Sequence, residues 1–179
     1  MCLEVGIWGF AFMTVAQLNS GDRASFTAAL GHLFEHSPWV AEKTWARRPF
    51  RGAAHLRAEL CGTMRGAGVA RQLALIRAHP DLAGRLARAG KLTAESKREQ
   101  ASAGLSGMNA EELAGFQQLN ASYRTRFGFP FVICARLNDR SAILTAIQTR
   151  LTNTPEQEYA TALGEIEKHL GTVAREMGE

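Results

Sequence analysis

The sequence predicts an all-α protein, a single compact domain of about eight helices, and three observations lead there. Apolar residues recur at helical spacing through most of the chain, and residues that start and stop helices stand between the apolar runs. Only one short run, Phe131 to Ala135, has the unbroken apolar character of a strand. One isolated strand cannot make a sheet, so Phe131, Val132, Ile133, Cys134 and Ala135 read as a buried extended segment crossing between helices.

Taken in order, Phe26, Ala29, Leu30, Leu33 and Phe34 share a first stripe, and Ser37-Pro38 opens a short helix. Leu56, Leu60 and Met64 form a second stripe and Val69, Leu73 and Ile76 a third. Gly90 and Gly104 stand where helices stop. Asn109 with Glu112 has the form of a capping box, and from it Leu113, Phe116, Asn120, Tyr123 and Phe127 present one largely apolar face until Gly128-Phe129-Pro130 ends the helix. Asp139 can begin the helix that carries Ile143, Ile147 and Leu151. In the last helix Thr154 caps, Pro155 occupies the first turn and Gln157 closes a capping box, ahead of the stripe Tyr159, Leu163, Ile166, Leu170, Val173 and Met177.

With 179 residues, 46% of them hydrophobic, the chain is long enough to bury a full core without cross-links. Cys2, Cys61 and Cys134 are odd in number, scattered and without ligand spacing, so no disulfide framework and no zinc site is expected, and a reducing compartment, the cytoplasm, fits best. The net charge of +4 is spread along the helices, and its densest cluster, Arg47, Arg48 and Arg51, reads as a solvated face, not a nucleic-acid surface. The opening MCLEVGIWGFAF contains Glu4 and lacks a basic start, so it is a poor signal peptide, and it is too short to span a membrane. Residues 1–12 are therefore expected to be an N-terminal extension ahead of a helical domain over 13–179.

Three stretches exceed what core periodicity explains. In Ala78-His79-Pro80-Asp81-Leu82, proline disfavours helix at the residue before it, which puts His79 at a break between two helices, either as a cap or as a projecting imidazole. In the stretch from Leu92 to Gln100, Thr93 can cap a helix on which Ser96, Glu99 and Gln100 share a face, near the positive end of the helix dipole. The run from Phe127 to Arg136 contains the extended segment, whose backbone must find hydrogen-bond partners in a planar heterocycle, in neighbouring backbone or in water. Arg136 is a candidate fork for a carboxylate. His36 is a weaker lead, and no zinc-peptidase, phosphate-loop, serine-hydrolase or nicotinamide motif occurs.

Together these stretches resemble the OHCU (2-oxo-4-hydroxy-4-carboxy-5-ureidoimidazoline) decarboxylase family. The resemblance runs from about Leu18 to Met177. It includes F-E-H-S-P-W-V-A-E-K-T-W-A-R-R-P-F from Phe34, H-P-D-L-A-G from His79, L-T-A-E-S-K-R-E-Q-A-S-A-G-L from Leu92, and L-N-x-x-Y-x-x-R-F-G-F-P-F-V-I-C-A-R ending at Arg136. The tail R-L-x-N, Arg150 to Asn153, extends it. It implies an all-α homodimer that acts without metal or organic cofactor on a small ureidoimidazoline. It also implies that His79 is the catalytic acid/base, and that Pro80, the Ser96 to Gln100 stretch and the backbone of Phe131 to Ala135 line the substrate site. Glu99 is expected to assist His79, with Arg136 or Arg150 meeting the substrate carboxylate. The rival expectations are a hydrolase or tautomerase acting on a neighbouring ureide such as 5-hydroxyisourate, and a non-catalytic helical interaction domain in which the same groups only cap and solvate helices.

Overall fold

The computed structural model describes residues 13–80, 82 and 108–177. Among them the chain forms eight α-helices, three short 3-10 turns and no strand. The helices are α1 (Val15–Ser20), α2 (Arg23–Leu30), α3 (Trp39–Thr44), α4 (Ala53–Arg65), α5 (Val69–Ala78), α6 (Ala110–Phe127), α7 (Arg140–Arg150) and α8 (Pro155–Glu176). The all-α expectation holds. Residues 1–12, Gly90 and Gly104 lie outside the described residues. The chain divides into two compact units, Met1–Leu75 with Leu170–Glu179, and Ile76–His169, so the divisions fall within α5 and α8.

In the first unit α2 packs on α3 and α3 on α4. Phe26, Leu30, Phe34, Val40, Leu56 and Met64 are buried there, and the Phe26 and Phe50 rings stack at 5.7 Å. Thr14 and Gln17 close a capping box on α1, and the Asp22 carboxylate accepts from the Ser25 N–H at 2.7 Å to start α2. The helix expected at Ser37-Pro38 begins at Trp39 with no side-chain cap; Ser37 is buried and serves through its carbonyl, which accepts from the Val40 N–H at 3.2 Å. His36, just before it, takes φ 47°, the left-handed region where the chain turns sharply.

Two sequence readings change here. Arg48 is not part of a solvated face: its Nη1 donates to Asn19 O and Gly21 O, both at 2.8 Å, and its guanidinium lies 4.0 Å from the Trp45 ring centre. A loop lacking its own ladder is tied down by the one side chain with enough donors to reach several carbonyls. On α5 the buried residues are Gln72, Leu75 and Ile76, while Val69 is exposed and Leu73 half-buried. The stripe is displaced because Gln72 Nε2 donates to Met64 O (3.0 Å) and Arg65 O (2.6 Å), satisfying carbonyls at the end of α4 that the helix itself leaves open. That bond turns Gln72 inward and Val69 outward.

The second unit follows its caps closely. Asn109 and Glu112 close the box that opens α6, Asp139 accepts from the Ala142 N–H at 2.8 Å to open α7, and Thr154 with Gln157 opens α8 at Pro155. Each such cap contributes about 1 kcal/mol. Phe116, Asn120, Tyr123 and Phe127 are the buried face of α6, which packs on α7. Gly128 ends α6 in the left-handed conformation, φ 75°, and the reversal carries Phe129 and Phe131 back onto the Tyr123 ring, at 6.2 and 5.2 Å between ring centres. Phe131, Val132 and Cys134 are buried in non-helical backbone, as expected, and Ala135 already belongs to the 3-10 turn Ala135–Leu137.

Candidate active site

His79 is the first residue past α5, half-buried, with its N–H donating to Ile76 O at 3.2 Å. The helix stops where proline's restriction on the preceding residue requires it to stop. Pro80 is exposed, and Leu82 beyond it is buried. Ser96, Glu99 and Gln100, with the capping Thr93, lie outside the described residues. Arg136 sits half-buried in the 3-10 turn that follows the extended segment. His36 is exposed.

The backbone of the extended segment finds partners that the sequence does not announce. Arg150 Nη1 donates to Val132 O at 2.9 Å, and the Cys134 N–H donates to Glu165 Oε2 at 2.9 Å. Asn138 Nδ2 donates to Cys134 O at 2.9 Å. The partners are thus side chains of α7 and α8 and of the turn between segment and α7, a class of partner absent from the sequence expectations.

Behind that segment lies a buried polar cluster. Glu158 is fully buried and Arg150 nearly so. Glu158 Oε1 accepts from Arg150 Nε at 2.8 Å, from Arg150 Nη2 and from the Tyr123 hydroxyl, while Oε2 accepts from Asn153 Nδ2 at 2.7 Å. Arg150 also lies 4.5 Å from the Phe131 ring centre. Burial, and then the carboxylate of Glu158 that accepts its proton, push the Tyr123 hydroxyl well above the ordinary range for a phenol. Arg150 spends its fork on Glu158 and Val132, so its chemistry here is that of a brace. Glu165 is a second brace: one oxygen takes the Cys134 N–H and the other lies 2.6 Å from Lys168 Nζ. The available signal in the sequence was Glu158 and Glu165 standing seven residues apart beside the apolar stripe of α8, on a face that two turns of helix keep aligned.

An open depression of about 590 Å³ runs along α7, lined by Asp139, Ser141, Thr145 and Thr149 among others. The capping Asp139 and residues of α7 line it, without polar groups converging from other elements as in a small-molecule site. Among the described residues, no group of three or more His, Cys, Asp or Glu side chains could hold a metal ion, and no helix is long and apolar enough to cross a membrane.

The family model described as OHCU decarboxylase matches residues 19–169 of the chain. A mouse protein named 2-oxo-4-hydroxy-4-carboxy-5-ureidoimidazoline decarboxylase is 42% identical over 156 residues, covering 87% of this chain and 88% of its own length. A uric acid degradation bifunctional protein of Bacillus subtilis is 36% identical over 170 residues, which cover 93% of this chain and 34% of that protein. Among solved structures, that of an (S)-allantoin synthase superposes with a TM-score of 0.70 at 27% identity, covering 92% of this chain and 54% of that one, so this chain spans about half its length.

Proposed function

The chain belongs to the OHCU decarboxylase family, and from that membership we propose that it decarboxylates 2-oxo-4-hydroxy-4-carboxy-5-ureidoimidazoline to (S)-allantoin in urate breakdown. By class it is a carbon–carbon lyase, a carboxy-lyase. The observation that carries the reading is the 42% identity with a protein of that name over 87% of the chain. The rest follows from the chemistry of the substrate. The bond from the hydroxylated ring carbon to its carboxylate breaks, CO2 leaves, the bonding pair shifts into the adjacent ring C=N, and the ring nitrogen of that C=N takes up one proton, ultimately from solvent. The ring is its own electron sink, so the reaction asks for neither a metal nor an organic cofactor. The enol-like intermediate then loses its hydroxyl proton and gains a proton on the neighbouring carbon. Delivery from one face sets the (S) configuration.

His79 is the proton carrier in this reading. An imidazole with an ordinary pKa of about 6.5 can accept and donate near neutral pH, and His79 follows directly on the last residue of α5. Glu99 assists it, and Ser96, Gln100, Pro80, Arg136 and the backbone of Phe131 to Ala135 orient the ring, its ureido group and its carboxylate. The enzyme acts as a cytoplasmic homodimer.

The test is CO2 release and product chirality from freshly generated substrate. His79→Asn should lower turnover by about two to four orders of magnitude while the circular dichroism of the folded chain is kept. Near-normal turnover in that variant removes His79 from the mechanism. Hydrolysis of 5-hydroxyisourate in place of CO2 release reassigns the enzyme to a neighbouring step.

A further inference from the structure

An extended backbone has two edges. Residues two apart present their N–H and C=O groups on the same side, and the residue between them presents its own on the other. Along one edge of the segment from Phe131 to Cys134, Val132 O is taken by Arg150 Nη1 and the Cys134 N–H by Glu165 Oε2, each at 2.9 Å. Ile133 lies between them, half-buried, and among the described residues its N–H and C=O have no partner.

Both braces are buried charges, and each is neutralised on its own side: Arg150 by Glu158, and Glu165 by Lys168 at 2.6 Å. A buried charge left alone would be costly, whereas a paired one keeps its remaining donors and acceptors for short, charge-assisted bonds to backbone. No strand flanks the segment among the described residues, so these side chains do what a neighbouring strand would do in a sheet. They fix its rotation about its own axis.

We infer that Arg150 and Glu165 are positioning residues for the reaction: they hold the buried edge at Val132 and Cys134 and so aim the Ile133 N–H and C=O at the ureide edge of the substrate. The inference rests on the reading above that this segment lines the substrate site. A ureide offers adjacent C=O and N–H groups in one plane, which an N–H and a C=O on a single extended edge can meet together. Releasing either brace lets the segment rotate, and both bonds to the substrate weaken at once.

The experiment compares the full chain with Glu165→Gln and Glu165→Met in steady-state decarboxylation, alongside 15N chemical shifts of the amides during titration with (S)-allantoin. Glutamine keeps an acceptor for the Cys134 N–H and methionine does not. Glu165→Met should raise KM about tenfold with a smaller change in kcat, the size expected for losing one well-placed hydrogen bond. Glu165→Gln should recover most of that loss. In the unaltered chain the Ile133 amide should be among the resonances that move most with (S)-allantoin, and in Glu165→Met that movement should shrink. A folded Glu165→Met with unchanged KM overturns the inference, as does an equal loss in both variants. Should Glu165→Met fail to fold, an Ile133 amide that stays still at saturating (S)-allantoin overturns it. An unaltered chain that releases no CO2 overturns the functional reading instead, so the two failures are distinguishable.

Discussion

At the scale of single residues, the buried trio of Tyr123, Arg150 and Glu158 sets a clear expectation for alkaline behaviour. Burial and the carboxylate of Glu158 raise the Tyr123 hydroxyl above its ordinary pKa of about 10, so the folded chain favours the neutral phenol more than the unfolded chain does. The stabilisation is complete below about pH 10 and declines as pH rises beyond it, because the unfolded chain can then ionise a group that the folded chain cannot. The protein has two tyrosines, so phenolate absorbance developed before alkaline unfolding should correspond to at most one of them. Removing the hydroxyl with Tyr123→Phe should cost about 1–2 kcal/mol at neutral pH by denaturant unfolding, since Glu158 keeps its bonds to Arg150 and Asn153. That deficit should narrow above pH 10. A second full phenolate signal from the folded protein would mean that Tyr123 is exposed in solution.

At the scale of elements, the stop of α6 rests on Gly128, whose φ of 75° suits glycine and penalises a side chain. A Cβ there would meet nothing nearer than Arg77 Nη2 at 4.0 Å, so the cost of Gly128→Ala is conformational, about 1–2 kcal/mol, and should appear as a lower midpoint in chemical denaturation. An undiminished midpoint would show that the helix end rearranges. This element was legible in advance because its signals are local: a capping box at Asn109, four buried residues at three- and four-residue steps, and a glycine before a proline. The opening of α8 at Pro155 was legible for the same reason. The face of α5 was not, because a side-chain bond from Gln72 to the end of α4 outweighed the apolar pattern that favoured Val69. Nor was the bracing of the extended segment, since Arg150 and Glu165 reach it across 18 and 31 residues of chain and a charged letter does not name its partner. Of the proposed site, the break at His79 was readable from one proline, whereas the stretch from Ser96 to Gln100 falls outside the described residues.

At the scale of the whole molecule, the proposed chemistry draws on the substrate's own ring for electron delocalisation, and this has an operational consequence. Dialysis against a strong chelator should leave CO2 release unchanged within error, with no recovery on adding divalent metal. Loss of activity restored by metal would contradict the proposed mechanism. The proposed homodimer is checked independently by light scattering, which should give twice the chain's mass.

The two compact units also differ in their chromophores. The two tryptophans among the described residues, Trp39 and Trp45, belong to the unit formed by Met1–Leu75 and Leu170–Glu179, and both tyrosines, Tyr123 and Tyr159, to the unit formed by Ile76–His169. Trp45 carries the Arg48 guanidinium over its ring, and the Lys43 ammonium lies 6.0 Å from the centre of Trp39, so the emission of both depends on local packing. Nature has in effect given each half its own dye: the indoles of Trp39 and Trp45 follow one and phenol absorbance the other, and melting a Trp8→Phe chain while watching both colours tells whether the halves come apart together or in turn.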